Sequence, residues 1–328
     1  MSDATPEGHR TPEVIALVGP TGVGKSAVGE LLAERVGGEI VSADSMQVYR
    51  GMDIGTAKVP AEERSIRYHA IDLVDAGREY SAALYQRDAR TAIADIHSRG
   101  KLPVLVGGTG LYASAALDDL RFPGGELISP LRVELEADAK NLGSEAMHAR
   151  LRATDPESAT LIHPNNVRRT IRALEMAAEG LSYATQASGL KTRASVYDVA
   201  WFGLTMSRMR LYARIDARVE HMLSNGLLDE ISGLMDSGFR EALTATQAIG
   251  YKEFVPVIES GRPVEEALAE VQTATRRYAK RQLTWFRRDP RIRWLDVETC
   301  SAEQTVEALL GLLESGESAP YPFRDESS

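Results

Sequence analysis

The sequence predicts an α/β protein, built on a parallel sheet flanked by helices, with an all-helical subdomain inserted into the core. In the N-terminal third, short apolar runs alternate with stretches of helical period, a pattern typical of strand–helix–strand units. From residue 126 to residue 195 the alternation stops, and only helical patterns broken by turn residues remain. These two observations together predict one layered core and one inserted helical segment.

The elements of the N-terminal third are predicted from the spacing of their apolar residues. The strands span 14–18, 39–43 and 102–106, and the helices between them run from 27 to near 37 and from 81 to 98. The residues that directly follow the three strands are Gly19, Asp44 and Gly107. Because ligands bind beyond the carboxyl ends of parallel strands, we expect the functional site at these three turns.

After the insertion, the chain returns to the same core. Residues 196–206 resemble a further strand, and the helix that follows carries Ile215 and Val219 on an apolar stripe. We therefore expect a core of residues 13–125 and 196–315, with residues 126–195 as the helical insertion. Residues 1–12 are predicted to be a disordered N-terminus, and residues 316–328 a flexible tail.

The composition excludes several classes of protein. With 328 residues, of which 43% are hydrophobic, the chain can bury a sizeable core and is not intrinsically disordered as a whole. A single cysteine, Cys300, excludes a disulfide framework and a cysteine-rich zinc site. No apolar run approaches the ~20 residues of a membrane span, and the N-terminus lacks a signal-peptide pattern. We expect a cytoplasmic protein without membrane contact and, since no residue set indicates a symmetric interface, a monomer.

The charge of the chain is unevenly distributed. Its formal net charge of -9 argues against a protein that coats nucleic acid nonspecifically. The segment 276–293, however, carries eight basic residues and a single acidic residue, Asp289. Since charge acts locally, within roughly 8 Å at physiological salt, this segment permits a nucleic-acid-binding face. Its Trp285 and Phe286 are expected to be buried rather than stacked on bases.

A phosphate-binding loop follows the first strand. The motif G-x-x-x-x-G-K-S lies between a predicted strand and a predicted helix, the context in which it binds phosphate. It comprises Gly19, Pro20, Thr21, Gly22, Val23, Gly24, Lys25 and Ser26. Its glycines allow backbone N–H groups to surround phosphate oxygens, Lys25 adds a positive charge, and the Ser26 hydroxyl suits Mg²⁺. The motif predicts a P-loop NTPase-like fold that binds a phosphate or a diphosphate.

The chain lacks a feature that nucleotide hydrolases of this class usually carry. These enzymes place a second magnesium-binding Asp at the end of an apolar strand. The strand best suited to that role, 102–106, is followed by Gly107, Gly108 and Thr109, and an acid follows the second strand instead, at Asp44. A diphosphate that serves as a leaving group fits this loop as well as a nucleotide does.

Four motifs occur in order along the chain: GPTGVGKS at 19–26, DSMQVYRGMDIGTAK at 44–58, GGTGLY at 107–112 and KRQLTWFRR at 280–288. Together they resemble the bacterial tRNA dimethylallyltransferases, the IPP transferase family. The resemblance runs from residue 14 to residue 296, except for much of 126–160. It implies transfer of a dimethylallyl group from dimethylallyl diphosphate to N6 of adenosine 37 in tRNA. The chain departs from the family at Tyr68-His69, where paired histidines are frequent.

The resemblance assigns chemical roles to individual residues. An exocyclic adenine amine is a poor nucleophile that must lose a proton as the new bond forms, and Asp44 is the implied general base. Thr21 is implied at the bridging oxygen of the diphosphate and Arg214 at its phosphates, where cations stabilise the departing charge. The implied cofactor is Mg²⁺, bound by Ser26.

Arg210, Arg214 and Arg218 are spaced four residues apart, so they lie on one helix face. A charge stripe at this spacing is typically a solvated face, and we expect this for Arg210 and Arg218. Only Arg214 matches the phosphate-contacting arginine of the family.

The resemblance also implies where tRNA binds. The implied contacts are Asp44, Ser45, Met46, Gln47, Thr109, Arg132, Arg168, Arg169, Thr170, Ile171, Arg172, Gln247, Ala248, Ile249, Gly250, Tyr251 and Lys252. Gln47 is suited to read the target adenine, since an amide matches its edge with two hydrogen bonds. Thr109 has an alternative role as a helix cap, and the segment 168–172 as a solvated helix face paired with Glu175. The adenosine must leave the anticodon stack, which predicts a channel that the two substrates enter from opposite sides.

Three other interpretations stay open. A small-molecule or nucleoside kinase would use the loop for ATP and Asp44 as a hydroxyl base, but leaves the basic segment and the 44–58 motif without a role. A transferase that acts on free adenine nucleotides keeps the loop and Asp44 and needs no tRNA-sized surface. A noncatalytic RNA-binding protein is disfavoured, because binding alone does not require Lys25, Ser26 and Asp44 together.

Overall fold

The protein is described from a computed structural model that covers residues 11–122, 129–192, 194–242 and 244–315. It divides into two compact units. The first contains the described residues up to Tyr80, Tyr85–Leu117 and the described residues from Tyr197 onward; the second contains Ser81–Leu84 and the described part of Asp118–Val196. Of the predicted disordered segments, residues 1–10 and 316–328 lie outside the described residues.

The secondary structure elements are numbered in chain order. The strands are β1 (Val14–Val18), β2 (Glu39–Ala43), β3 (Tyr49–Arg50), β4 (Tyr68–His69), β5 (Val74–Asp75), β6 (Pro103–Gly107), β7 (Val199–Thr205) and β8 (Arg293–Asp296). The helices are α1 (Lys25–Arg35), α2 (Ala82–Ser98), α3 (Gly110–Leu117), α4 (Pro130–Thr154), α5 (Pro156–Leu161), α6 (Val167–Ala178), α7 (Tyr183–Thr192), α8 (Arg208–Ser224), α9 (Leu227–Met235), α10 (Tyr251–Ser260), α11 (Val264–Phe286) and α12 (Ala302–Ser315). Short 3₁₀ turns span Ala61–Glu63, Phe239–Glu241 and Ala245–Gln247. Among the described residues, no helix has both the length and the apolar character needed to cross a membrane.

Six strands of the first unit form one parallel sheet in the order β4-β2-β6-β1-β7-β8, and β3 pairs with β5 in a second, small sheet. Every residue of β1, β2 and β6 is buried, as expected for parallel strands that are covered on both faces. The predicted parallel α/β core is therefore confirmed. The strand expected at 102–106 spans Pro103–Gly107, and the one expected at 196–206 spans Val199–Thr205.

The strand order brings three loops to one edge of the sheet. Strand β6 lies between β1 and β2, so the carboxyl ends of these strands are adjacent. Gly19 follows β1, Asp44 follows β2, and Gly108 follows β6. This is the edge at which a parallel sheet binds ligands.

Helices α1 and α8 pack on the sheet beside this edge. Val28 and Leu32 of α1 and Ile215 of α8 belong to one buried apolar cluster with Leu17 of β1. Val219, the other residue predicted on the apolar stripe of α8, is also buried, with 3% exposed. The apolar spacing of both helices therefore sets which face each turns toward the sheet.

The second unit contains α4–α7 and has an apolar core of its own. Ser129 caps α4, because its side chain accepts a hydrogen bond from the Arg132 backbone N–H, and Pro130 occupies the first helical turn. Gly143, with φ 83° and ψ 171°, interrupts α4, which is therefore two helical segments joined by a kink. The core residues are Leu135, Met147, Leu151, Ala159, Ile162, Ile171, Ala173 and Leu174. The longer segment of this unit begins at Asp118, before the predicted insertion of 126–195, of which residues 126–128 and 193 lie outside the described residues.

Glu39 is a buried carboxylate at the amino end of β2, with 2% exposed. It accepts hydrogen bonds from Arg99 and pairs with His69 Nε2 at 2.7 Å and Lys101 Nζ at 2.9 Å. These partners, Arg99 foremost, hold the pKa of Glu39 well below its ordinary value, although burial acts in the opposite direction. His69 of the Tyr68-His69 pair therefore forms a side-chain hydrogen bond that joins β4 to β2.

We expect Glu39→Gln to lower the free energy of unfolding by about 2 kcal/mol at pH 7, less than for a fully buried pair because Arg99 and Lys101 stay partly hydrated. Since the pKa of Glu39 is depressed on folding, its contribution is present above the unfolded-state pKa and is lost as the pH falls. Urea unfolding at pH 7 and pH 3 measures both effects. The exposed-site control Glu34→Gln should change stability by less than about 0.5 kcal/mol. An equal loss for Glu39→Gln at both pH values would contradict the assignment.

Candidate active site

The phosphate loop joins β1 to α1 and adopts the backbone conformation that its glycines permit. Gly19, Gly22 and Gly24 have φ angles of 148°, 81° and 104°, in the region that favours glycine. Gly24 directly precedes α1, so its left-handed conformation turns the chain into the helix. The predicted residues 19–26 together form this turn, which has the geometry of an anion-binding loop.

Two of these glycines are also sites of close approach. A Cβ atom at Gly19 would lie 2.6 Å from the backbone oxygen of Leu204 in β7, which leaves no room for a side chain. A Cβ atom at Gly24 would lie 3.5 Å from Nη2 of Arg214. The guanidinium group of Arg214 therefore lies beside the phosphate loop, and its contact with the phosphates stays a prediction.

Two cavities lie at this edge of the sheet. The phosphate-side cavity, of about 1060 Å³, has Lys25 and Arg214 in its wall. The Asp44 cavity, of about 470 Å³, has Asp44 in its wall. Arg218 and Met222, one turn apart on α8, line both cavities. The cavity that contains the phosphate loop and the cavity that contains Asp44 thus share part of one wall.

Lys25 is the titratable residue of the phosphate loop, and its pKa is lowered. Its Nζ atom donates a hydrogen bond to the backbone oxygen of Pro20 at 2.7 Å. Burial lowers the pKa of Lys25 to about 7, Asp44 acts in the opposite direction, and Arg218 adds to the lowering. An anion bound in the loop would favour the ammonium form of Lys25, so anion binding and protonation of this residue are coupled.

Arg218 lies in the site, and its predicted position on a solvated face is wrong. Arg210 is exposed, as expected, but Arg218 is half-buried and lines both cavities. Burial lowers the pKa of Arg218, the Asp44 carboxylate acts against this, and Arg214 adds to it. A spacing of four shows that residues share a helix face, but it does not show how much of that face the fold covers.

Asp44 occupies the position predicted for it, directly after β2. Its Oδ1 atom accepts a hydrogen bond from the Met46 backbone N–H at 2.9 Å, which orients the carboxylate. Thr21 and Tyr278 line the same cavity. Burial first, and Asp44 second, raise the pKa of Tyr278 to about 12, so this hydroxyl stays protonated at neutral pH. An oriented carboxylate beside an anion-binding loop is suited to accept a proton from a bound substrate.

Thr109 links the loops that follow β2 and β6. Its hydroxyl accepts a hydrogen bond from the Ser45 backbone N–H at 3.1 Å and donates one to Ser45 Oγ at 3.3 Å. Its backbone N–H donates to the Ala43 oxygen at 3.0 Å. The hydroxyl of Thr109 therefore serves this link rather than the alternative role as a cap of α3, and it holds Ser45 next to Asp44.

The amide of Gln47 forms hydrogen bonds with β2 and with the loop that follows β3. Its Oε1 atom accepts a hydrogen bond from Ser42 Oγ at 2.9 Å, and its Nε2 atom donates to the Thr56 backbone oxygen at 3.3 Å. Recognition of adenine by Gln47 stays a prediction. It would have to use the second lone pair of Oε1 and the second N–H of Nε2, which these two hydrogen bonds leave free.

Glu230 of α9 anchors the loop 53–55. Its carboxylate accepts hydrogen bonds from the backbone N–H groups of Asp53 at 2.8 Å, Ile54 at 2.6 Å and Gly55 at 3.1 Å. The Tyr251 hydroxyl donates to the same carboxylate at 2.6 Å. Because this loop contributes to the walls of both cavities, Glu230 fixes part of the boundary of each.

Lys58, at the end of the 44–58 motif, is a second anchor of the same loop. Its side chain is 1% exposed. The ammonium group donates to the Tyr49 backbone oxygen at 2.5 Å and to the carboxylates of Asp53 at 2.7 Å and Asp72 at 2.5 Å. This motif residue therefore has a structural role, which its presence in a functional motif does not reveal.

The predicted tRNA-contacting segment 247–252 lines the Asp44 cavity. The side chains of Ala248 and Tyr251 are buried, whereas those of Gln247 and Lys252 are exposed. In this segment, the side chains of Gln247 and Lys252 are exposed to solvent, and that of Ile249 is half-buried.

Two arginines of α11 in the wall of the Asp44 cavity are absent from the residues singled out in the sequence. Arg277 and Arg281 are both exposed and lie one turn apart. Both lie in the basic segment 276–293, whose composition permits a nucleic-acid-binding face. Composition does not show which of its residues face the cavity.

In α6 of the second unit, the predicted tRNA contacts separate into exposed and buried side chains. Arg168 and Arg169 are exposed. Thr170 and Ile171 are 0% and 3% exposed and face the interior of the unit. Contact with tRNA through a side chain thus stays a prediction for the two arginines, whereas the side chains of Thr170 and Ile171 serve packing.

Arg132 and Arg172 both pair with the buried carboxylate of Glu175. Arg132 Nη1 donates to it at 3.1 Å and Arg132 Nε to Glu136 at 3.0 Å, while Arg172 Nη1 lies 3.6 Å from Glu175. Of the residues in 168–172, Arg172 therefore has the predicted alternative role, namely pairing with Glu175. Arg132 belongs to the same ion-pair cluster.

The parallel sheet, the phosphate loop and the carboxylate beyond β2 define a P-loop fold in which a loop with anion-binding geometry lies near an aspartate. The chain belongs to the IPP transferase family, whose model matches residues 47–289. The family expected from the four sequence motifs is thereby confirmed.

Individual relatives cover nearly the whole chain. The sequence is 45% identical over 302 residues to a tRNA dimethylallyltransferase of Carboxydothermus hydrogenoformans, across 91% of this chain and 96% of that protein. The structure is similar to that of a tRNA isopentenylpyrophosphate transferase from Bacillus halodurans, with 42% identity, a TM-score of 0.67 and coverage of 92% and 97%. It is also similar to a eukaryotic dimethylallyltransferase acting on tRNA, with 30% identity, a TM-score of 0.77 and coverage of 94% and 81%.

We expect Arg218→Leu to weaken the binding of inorganic pyrophosphate by roughly 10- to 100-fold, because hydrogen bonds to a charged group are each worth about 1.5–3 kcal/mol. Isothermal titration calorimetry measures the dissociation constant. Arg210→Leu removes the same charge from the same helix outside both cavities, so it should change the affinity by less than about twofold at physiological salt. Equal effects of the two substitutions would show that Arg218 acts only through the net charge.

Proposed function

We propose that the protein transfers the dimethylallyl group of dimethylallyl diphosphate to N6 of adenosine 37 in tRNA and releases diphosphate. The observation that supports this most directly is the position of Asp44 and the phosphate loop in the walls of adjoining cavities. The names of the relatives, which are tRNA dimethylallyltransferases and tRNA isopentenylpyrophosphate transferases, favour this activity over that of a kinase.

The reaction exchanges one bond for another. The N6 nitrogen bonds to C1 of the allylic group, the bond from C1 to the diphosphate oxygen breaks, and N6 loses one proton. The lone pair of this nitrogen is delocalised into the purine ring, so proton removal during bond formation lowers the barrier. Asp44 accepts the proton, since its carboxylate is oriented by the Met46 N–H and lines the cavity next to the phosphate loop.

The departing diphosphate gains negative charge as its bond to carbon breaks. Lys25, Arg214 and Arg218 line the phosphate-side cavity, where they stabilise that charge. The backbone N–H groups of the phosphate loop and the N-terminus of α1 add positive potential. Thr21 is the residue of this loop that lines the Asp44 cavity, which supports its proposed contact with the bridging oxygen.

We infer that Mg²⁺ accompanies the diphosphate. Within the ranges that the structure describes, no group of three or more His, Cys, Asp and Glu side chains could hold a metal ion. Ser26 offers a hydroxyl in the phosphate-side cavity, which fits magnesium, because this ion commonly combines one or two protein oxygens with phosphate oxygens and water. Ser26 would be the protein ligand, and the bound ion would supply positive charge to the leaving group.

We propose that the exposed basic side chains bind the anticodon stem-loop. Arg168 and Arg169 are exposed in the second unit, and Arg277 and Arg281 are exposed at the Asp44 cavity. Phosphate contacts position an RNA, and a target base that is unstacked can enter a cavity in which its edge is read. A cytoplasmic monomer stays the expectation for the protein that carries out this reaction.

A labelling assay tests the proposed function against its alternatives. The protein is incubated with Mg²⁺, unmodified tRNA, AMP, ATP and dimethylallyl diphosphate labelled in the allylic group. Label at adenosine 37 of the tRNA supports the proposal. Label in AMP alone would identify a transferase of free nucleotides, and phosphate transfer from ATP without labelled RNA would identify a kinase.

We expect Asp44→Ala to lower kcat by roughly 10²- to 10⁴-fold, the range typical of a lost general base, with tRNA affinity within about threefold of wild type. Single-turnover labelling and filter binding measure the two quantities separately. A variant that binds tRNA poorly but turns over bound tRNA at the normal rate would show that Asp44 is a binding residue and not the base.

We expect Arg168→Ala to weaken tRNA binding and to reduce the slope of log Kd against log salt by about one, since one phosphate contact is lost. Binding titrations between low and physiological salt give the slope. Arg152→Ala removes an exposed arginine from α4 of the same unit that is not a predicted contact, and its slope should equal that of wild type. An unchanged slope for Arg168→Ala would remove this residue from the interface.

A further inference from the structure

A buried amide joins the phosphate loop to the loop after β6. Gln282 of α11 is 5% exposed. Its Oε1 atom accepts a hydrogen bond from the Thr21 backbone N–H at 2.9 Å, and its Nε2 atom donates one to the Gly108 backbone oxygen at 2.8 Å. One side chain thus contacts two of the three loops at the functional edge of the sheet.

The chemistry of this contact requires a neutral group that accepts and donates at once. The partners of Gln282 are an N–H donor at Thr21 and an oxygen acceptor at Gly108, so only one orientation of the amide satisfies both. A Cβ atom at residue 108 would lie 2.3 Å from Gln282 Nε2, so the close approach requires glycine there. The contact therefore requires both the amide at residue 282 and a glycine at residue 108.

The two anchored loops carry the two halves of the proposed reaction. Thr21 belongs to the loop that binds the diphosphate. Gly108 precedes Thr109, whose hydroxyl accepts the hydrogen bond from the Ser45 N–H and so fixes the residue next to Asp44. A shift of Gln282 would therefore change the distance between the leaving group and the base.

We propose that Gln282 is a positioning residue that sets the separation of the phosphate loop from the Asp44 loop for allyl transfer. This role rests on the proposed function. Gln282 acts through the backbone of Thr21 and Gly108, and a displacement of about 1 Å between reacting groups is sufficient to slow a reaction by roughly 100-fold.

The test compares Gln282→Leu with Gln282→Glu over a range of pH. We expect Gln282→Leu to lower kcat by roughly 100-fold and to leave the KM for tRNA within about threefold, at every pH, because leucine neither accepts nor donates. A carboxylate at this position cannot donate to Gly108, so Gln282→Glu is equally slow at pH 8.5. At pH 6.0 the buried carboxyl group is protonated, and its O–H replaces the amide donor. We therefore expect the kcat of Gln282→Glu, relative to wild type, to be at least about tenfold higher at pH 6.0 than at pH 8.5.

The matched control is Gln272→Leu on the same helix. Gln272 Nε2 donates to the Asp216 oxygen at 3.5 Å and to Glu220 at 3.3 Å, so it also joins α11 to a neighbouring element, but it lines neither cavity. We expect kcat within about threefold of wild type for this control, with no dependence of the ratio on pH.

Two results would overturn the proposal: a kcat for Gln282→Leu within threefold of wild type, or the same pH dependence for Gln282→Glu and Gln282→Leu relative to wild type. If Gln282→Leu does not fold, the pH response of Gln282→Glu decides alone. Titration with inorganic pyrophosphate separates this proposal from the proposed function. If wild type binds pyrophosphate but labels no tRNA, the proposed function fails, but the positioning role can still be tested. The affinities of the two Gln282 variants for pyrophosphate at pH 8.5 and pH 6.0 then report on the phosphate loop. The affinity of Gln282→Glu relative to wild type should rise at pH 6.0, and that of Gln282→Leu should not.

Discussion

The site depends on the arrangement of cations between two anions. In the proposed reaction, a carboxylate that acts as general base lies close to a diphosphate, and two unit charges 5 Å apart repel by about 3 kcal/mol at an effective dielectric constant of 20. Lys25 and Arg218 lie where they interact with Asp44 and face the cavity of the phosphate loop. Burial lowers the pKa of both cations, and Asp44 acts against that lowering. In the proposed reaction, the carboxylate and the diphosphate favour the charged forms of these cations, and the cations reduce the repulsion between the two anions.

Such a charge arrangement is useful only if the loops that carry it keep their positions. Asp44, the phosphate loop and Thr109 each follow a different strand, and backbone hydrogen bonds from distant side chains hold them together. Gln282 contacts the phosphate loop and the loop that carries Thr109, and Thr109 joins its own loop to the Asp44 loop. Glu230 holds residues 53–55, which follow the Asp44 loop in the chain. Fixed loops place reacting groups without further reorganisation, which is a main source of enzymatic rate enhancement.

The proposed binding of an RNA by a chain with a net charge of -9 requires that acidic and basic side chains be separated in space. Several carboxylates are buried in ion pairs within the protein, as Glu39 is with Arg99 and Glu175 is with Arg132. Arg168 and Arg281, by contrast, are exposed. Because charge acts over roughly a Debye length, these local basic surfaces matter more to an approaching phosphate backbone than the net charge does.

Local patterns suffice to predict the strands of the core, the phosphate loop and Asp44, since each depends on near neighbours in the chain: the period of apolar residues, the freedom of glycine, and an acid directly after a strand. Strand β8 does not emerge from such patterns, because four residues are too few for a period and its pairing with β7 defines it. The role of Gln282 depends on Thr21, 261 residues away, and the burial of Arg218 depends on what covers its helix face. These contacts arise only when distant segments pack together, and no short stretch of the chain contains both partners.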